Sequence, residues 1–158
     1  MRTPLLTLAA CLLLAGTASA ATLNVPGDYP TIQGAIDAAN DGDEIVVAPG
    51  TYTGSGDNVV DMLGKALTLR SSGGPDVTFI DGQDVRRGII CQSGETNMTV
   101  IEGFKIINCF GVAYDYYGNL LSIGGGMLCT NSASPSMANC ILSFNWADYG
   151  GGLFAGQG

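Results

Sequence analysis

GGGMLC (Gly124–Cys129) and GGGLF (Gly150–Phe154) each join a glycine triplet to a short apolar run, and they begin 26 residues apart. Aligning Gly126 with Gly152 sets Met127 on Leu153, Leu128 on Phe154 and Cys129 on Ala155. GIIC (Gly88–Cys91) fits the same frame, with Cys91 on Cys129. Its interval is 38 residues, longer by 12, and VAYDYYGNLLS (Val112–Ser122) accounts for the excess as an inserted loop. VIEGFKI and MANCILS occupy equivalent places downstream of their glycine runs. A unit of about 25 residues carrying several short strands is the signature of a β-solenoid. One unit cannot bury its apolar residues alone. Laid on its neighbour at about 4.8 Å, it pairs its backbone and stacks its inward side chains into columns. Glycine triplets suit the bends between strands, where positive φ is needed.

YPTIQGAIDAANDGDEIVVAPGTY (Tyr29–Tyr52) precedes the repeats. Ile32, Ala35, Ile36 and Ala39 make one apolar helical face, so a helix is expected over about residues 30–40. NDGD stops it, and EIVVA reads as a buried strand. ALTLR, VTFI, GIIC and MTVIEGFKII follow as strands between Gly, Ser, Asn and Asp turns.

The first twenty residues read as a secretory signal peptide. Arg2 is the n-region, Leu5–Ala15 the apolar run, and Ala18-Ser19-Ala20 a cleavage site. LAAC (Leu8–Cys11) offers a lipoprotein box as a rival, but apolar LLLAG follows where a polar tether belongs. Cleavage after Ala20 leaves a domain of residues 21–158 that is secreted, periplasmic or at the cell surface, with no transmembrane segment. It keeps all 14 acids and 5 of the 6 bases. Such a chain neutralises few phosphates, which argues against nucleic acid as a partner. There is no histidine, which excludes His-based acid–base and nucleophile systems and His-ligated zinc. Cys91, Cys109, Cys129 and Cys140 remain, with no C-x-x-C among them. Cys91 and Cys129 fall on equivalent positions, and a reduced thiol stack is expected there.

These stretches resemble the right-handed parallel β-helix proteins of the pectin-lyase-like superfamily. Tyr29–Tyr52 looks like that family's capping helix and first coil, and KALTLRSSGGPDVTFIDG resembles the next turn. The glycine-triplet segments are similar to repeats of polymorphic outer-membrane proteins and autotransporter-like adhesins. The resemblance implies an all-β fold: a single-stranded right-handed parallel β-helix with an N-terminal capping α-helix. GGLFAGQG opens a coil without closing it, so truncation at the C-terminus is also expected, with self-association through the uncapped coil as its alternative fate. The catalytic motifs of the family's methylesterases and lyases find no match here.

Three places carry candidate chemistry. DGQDVRR (Asp81–Arg87) reads as a Ca²⁺ or acidic-sugar site with Asp81 and Asp84 as ligands and Arg86 or Arg87 as base, or as a solvated turn with local ion pairs. DGDE (Asp41–Glu44) is a Ca²⁺ loop or a helix stop, and it lacks the EF-hand pattern. FGVAYDYYGNLL (Phe110–Leu121) presents four aromatics, and its Tyr114, Tyr116 and Tyr117, with Trp146 and Tyr149 one unit on, are the carbohydrate-binding candidates. Alternatively, these rings pack the loop against the wall. The expected function is a non-catalytic secreted or surface module contacting polysaccharide, with no cofactor required. A Ca²⁺-dependent pectate-type lyase or its remnant, and a fragment of an adhesin passenger, are the alternatives.

Overall fold

The computed structural model describes residues 19–116 and 119–156, without side-chain placement for 114–119. The signal-peptide expectation therefore falls mostly outside the described residues. The chain enters as β1 (Thr22–Val25), forms the single described helix α1 (Ile32–Ala38), and continues as β2 (Glu44–Val47), β3 (Gly50–Tyr52) and β4 (Asn58–Asp61). Then follow β5 (Thr68–Ser71), β6 (Thr78–Asp81), β7 (Arg87–Cys91), β8 (Val100–Glu102) and β9 (Lys105–Ile107). β10 (Ala113–Tyr116) and β11 (Asn119–Ser122) come next. β12 (Met127–Cys129), β13 (Ser136–Ala138), β14 (Ile141–Ser143) and β15 (Leu153–Ala155) complete the strands.

The strands sort into three parallel sheets of order β1-β2-β5-β8-β13, β14-β9-β6-β3 and β15-β12-β7-β4. From β2 onward the chain visits these sheets in rotation, interrupted once by the antiparallel pair β10-β11. Three separate parallel sheets with a helix and an antiparallel pair make a layout nearer α/β than all-β. The expectation of an all-β, single-stranded right-handed parallel β-helix is corrected accordingly. The glycine period reports one strand of each round, the one in the β4-β7-β12-β15 sheet. The other two hide inside one apolar run: Met98–Ile107 reads as a single strand but splits at Gly103 (φ 79°) into β8 and β9, which lie in different sheets.

Registers follow the glycine alignment. Met127 pairs with both Ile89 and Leu153, and Cys129 with both Cys91 and Ala155. Gly124 and Gly150 take positive φ of 57° and 63° at the bends. The third glycines serve a different need. A Cβ on Gly88 would run into the Gly126 carbonyl, and one on Gly126 into the Gly152 carbonyl. Successive backbones approach too closely there for any side chain.

The core lies between the sheets. Leu23, Ile45, Leu69, Ile101 and Met137 share one register column, and Tyr52, Ile80, Ile106 and Leu142 another. Ile45, Leu69, Ile80, Ile89, Ile101 and Ile106 are fully buried, each removing an aliphatic side chain from water for about 1.5–3 kcal/mol. The helix turns Ile32, Ala35 and Ile36 onto this core. Thr31 caps it by accepting from the Gly34 amide at 3.1 Å. Lys65 Nζ closes the other end by donating to the carbonyls of Ile36, Asp37 and Ala39.

β7 is buried on both faces. A second cluster of Ile90, Ile123 and Leu128, with Leu121 and Phe154 against it, covers its outer side. The inserted segment expected as a loop over 112–122 is thus a strand pair whose C-terminal arm lays Leu121 over the outer face of that sheet, with Ile123 just beyond it.

Candidate functional site

The expected acid–guanidinium site at Asp81–Arg87 does not assemble. Arg87 is only 4% exposed, and its guanidinium donates to the carbonyls of Gly124 (3.0 Å), Val112 (3.2 Å) and Ile123 (3.0 Å), and to Asn58 Oδ1 (3.0 Å). Val112, Ile123 and Gly124 flank the β10-β11 pair, so Arg87 fastens its base. Its donors thus go to three backbone carbonyls and one side-chain amide oxygen. Arg86 Nη1 donates to Gln83 Oε1 at 3.0 Å. Asp81 Oδ1 accepts from the Gln83 amide (2.9 Å) and Asn108 Nδ2 (3.3 Å), an ordinary turn arrangement. Asp84 sits at φ 60° in the same turn. Among the described residues, no three acidic or cysteine side chains converge as cation ligands.

DGDE is built into the fold. Asp43 is 6% exposed and accepts from the backbone N–H of Ala21 (Oδ1, 2.7 Å) and of Asn40 (Oδ2, 2.7 Å), which hold its carboxyl below the usual range. Asp41 Oδ1 accepts from the Ala66 amide at 2.9 Å. Glu44 pairs with Arg70 at 2.6 Å, which lowers the Glu44 carboxyl.

The cysteines are unbridged. Cys91 and Cys129 stand in register, both buried, and the neighbouring thiol and burial push Cys91 up. Burial takes Cys109 up to about 12. The hydrogen bond between the two thiols pulls Cys129 the other way, downward, while Cys91 and Cys109 are held protonated as packing groups.

Four aromatic residues are exposed, among aliphatic ones such as Val85, Met98 and Leu120. Phe144 is 80% exposed, Trp146 72%, Tyr149 57% and Phe110 44%. Phe110 and Trp146 form an isolated parallel bridge, and Ile123 and Tyr149 another. The two residues of the first pair therefore stand at neighbouring backbone positions, both exposed. The backbone beneath Trp146 is bonded on both sides: its N–H donates to Cys109 O (2.7 Å), and its carbonyl accepts from Gly111 N–H (2.7 Å). Asn145 anchors the same stretch, with Oδ1 accepting from Cys109 N–H (3.0 Å) and Nδ2 donating to Ile106 O (3.0 Å). Asp148 ties the segment to the strand pair by accepting from Ser122 N–H and Oγ–H, both at 2.9 Å, which lowers its carboxyl. The aromatics thus stand on fixed backbone.

Of the expected carbohydrate-binding residues, Trp146 and Tyr149 are exposed on this surface. Tyr114 and Tyr116 lie in β10, without described side chains. Tyr117 lies outside the described residues. Phe110, the first aromatic of the Phe110–Leu121 stretch, is exposed too, and Phe144 was missed by sequence reasoning. The signal that finds them is the register itself: Phe110 stands one round above Trp146, and Phe144 stands opposite Asn108, next to the Ile107 and Ser143 pair.

A separate cleft of about 530 Å³ lies between Gln33 at the start of α1 and the Thr53–Asn58 loop, lined by hydroxyl, amide and carboxylate groups without an aromatic face. No protein-family model matches the chain, and no curated protein or solved structure matches it significantly.

Proposed function

We propose that this chain is a non-catalytic binding module of the cell exterior that holds polysaccharide on the surface formed by Phe110, Phe144, Trp146 and Tyr149. The observation that carries this reading is the Phe110–Trp146 pair: two exposed aromatic residues at bridged backbone positions, with the Trp146 N–H and carbonyl bonded to Cys109 and Gly111 and the Phe110 N–H to Arg86. Exposed aromatic clusters of this kind are costly unless something covers them. Sugar rings, apolar on one face and hydroxylated at the rim, suit flat rings on a rigid base. The chain's net charge of −8 directs the choice to neutral polymers over polyanionic ones. The leader-like first twenty residues support an exported chain. No helix among the described residues is long and apolar enough to cross a membrane.

Retention on insoluble neutral polysaccharides tests this. Trp146→Ala is expected to weaken retention about tenfold, the loss of one stacking contact, while Met98→Ala, which removes an equally exposed side chain elsewhere, leaves it unchanged. Equal retention of the two variants would sink the proposal.

A further inference from the structure

Asp43 is 6% exposed, and one of its carboxylate oxygens accepts from the amide nitrogen of Ala21, 22 residues away and one residue before β1. The other oxygen takes Asn40 N–H, so neither is idle. Ala21 is held from its other side too, its carbonyl accepting from Glu44 N–H at 2.8 Å. Ser19 and Ala20, immediately before, are exposed and irregular. Ala21 N is also the atom that cleavage after Ala20 would convert from an amide into an α-amino group.

We propose that Asp43 is the receptor for the α-ammonium of a chain processed after Ala20. Hydrolysis of the Ala20–Ala21 bond adds water across it. Ala20 leaves with the carboxylate, and Ala21 keeps the nitrogen, which is protonated at neutral pH. The nitrogen already lies 2.7 Å from Asp43 Oδ1, so no rearrangement is needed for the amide–carboxylate hydrogen bond to become an ammonium–carboxylate ion pair. The Asp43 carboxylate lies beside the start of the sheet and the end of the helix. Lys65, the other nearby cation, is occupied with the helix-end carbonyls. The device couples folding to export: the processed chain gains an ion pair at the Asp43 carboxylate that the unprocessed chain lacks.

This rests on the reading of residues 1–20 as a leader, and the experiment separates the two. The N-terminal residue of the exported chain tests the leader: Ala21 is expected, and any other start overturns the proposal for the exported protein. Separately, chains beginning at Ala21 and at Ser19 are unfolded in denaturant, each with Asp43 and with Asp43→Asn. An N-acetylated Ala21 chain, which keeps the N–H but not the charge, is the matched control. The free-amine chain is expected to have an unfolding constant about tenfold smaller than the acetylated or extended chains, with the difference vanishing in Asp43→Asn. Equal stabilities with Asp43 present, or a difference that persists in Asp43→Asn, would refute it.

Discussion

Phe144 breaks a local rule. It adopts φ 55°, a left-handed conformation that bulky L-residues avoid, and the residue opposite it, Asn108, is of the type that tolerates it, at φ 49°. An exposed ring gains nothing from burial there, so the strain has no folding benefit. Phe144→Asn is expected to raise stability by about 1 kcal/mol while weakening polysaccharide retention, both readable on the same sample by thermal unfolding and binding. A stabilised variant that binds unchanged would remove Phe144 from the surface. The rule-breaking is legible in sequence only after register is known. Asn108 and Phe144 look unrelated until Ile107 is paired with Ser143.

At the scale of elements, the helix was legible because its apolar spacing has one reading: Ile32, Ala35 and Ile36 are buried as the period requires. The glycine alignment likewise placed β7, β12 and β15 in register, since only glycine fits at Gly88 and Gly126, each against the carbonyl of the next glycine in the frame. The inserted segment was placed correctly but its form was not. Tyrosines, a glycine and an asparagine read as loop, and the strand pairing depends on Leu121 and Ile123 covering sheet residues distant in sequence. The largest miss is Arg87. Beside Asp81, Asp84 and Arg86 it reads as a surface charge, and nothing local announces that three carbonyls flanking the strand pair, 25 to 37 residues away, converge on it. Arg87→Met leaves those carbonyls and Asn58 Oδ1 without their charged donor. It is expected to cost about 2–4 kcal/mol in denaturant unfolding, with faster amide exchange concentrated in β10 and β11. A loss spread evenly over all strands would mean that Arg87 supports the core rather than the insertion.

For the whole molecule, charge sets the response to acid. Hydrogen bonds from Asn24, from Ala21 and Asn40, and from Ser122 lower the carboxyls of Asp28, Asp43 and Asp148, and Arg70 lowers Glu44. A group whose folded value is depressed contributes stability above its unfolded value, and loses it as pH falls through the folded one. Ordinary values are 3.8 for aspartate and 4.5 for glutamate, so stability is expected to decline progressively below that range. Asp61 acts oppositely. Burial, with Glu95 and Asp37 nearby, raises it, so its contribution is lost as pH rises from 3.8 through the raised value. Four lowered groups against one raised group predict a net loss in acid, and chemical unfolding at stepped pH measures it. Stability that rises on acidification below pH 3.8 would contradict these assignments.

The central claim, that polysaccharide lies on the Phe110–Trp146 surface, has a built-in reporter, because Trp146 is the single tryptophan of the chain. At 72% exposure it is open to a soluble quencher in the free protein. Titration with a neutral polysaccharide that retains the chain is predicted to shift its emission to the blue and shield it from the quencher, in step with binding. Binding that saturates while Trp146 stays as red and as quenchable as before would place the polymer elsewhere and contradict the account.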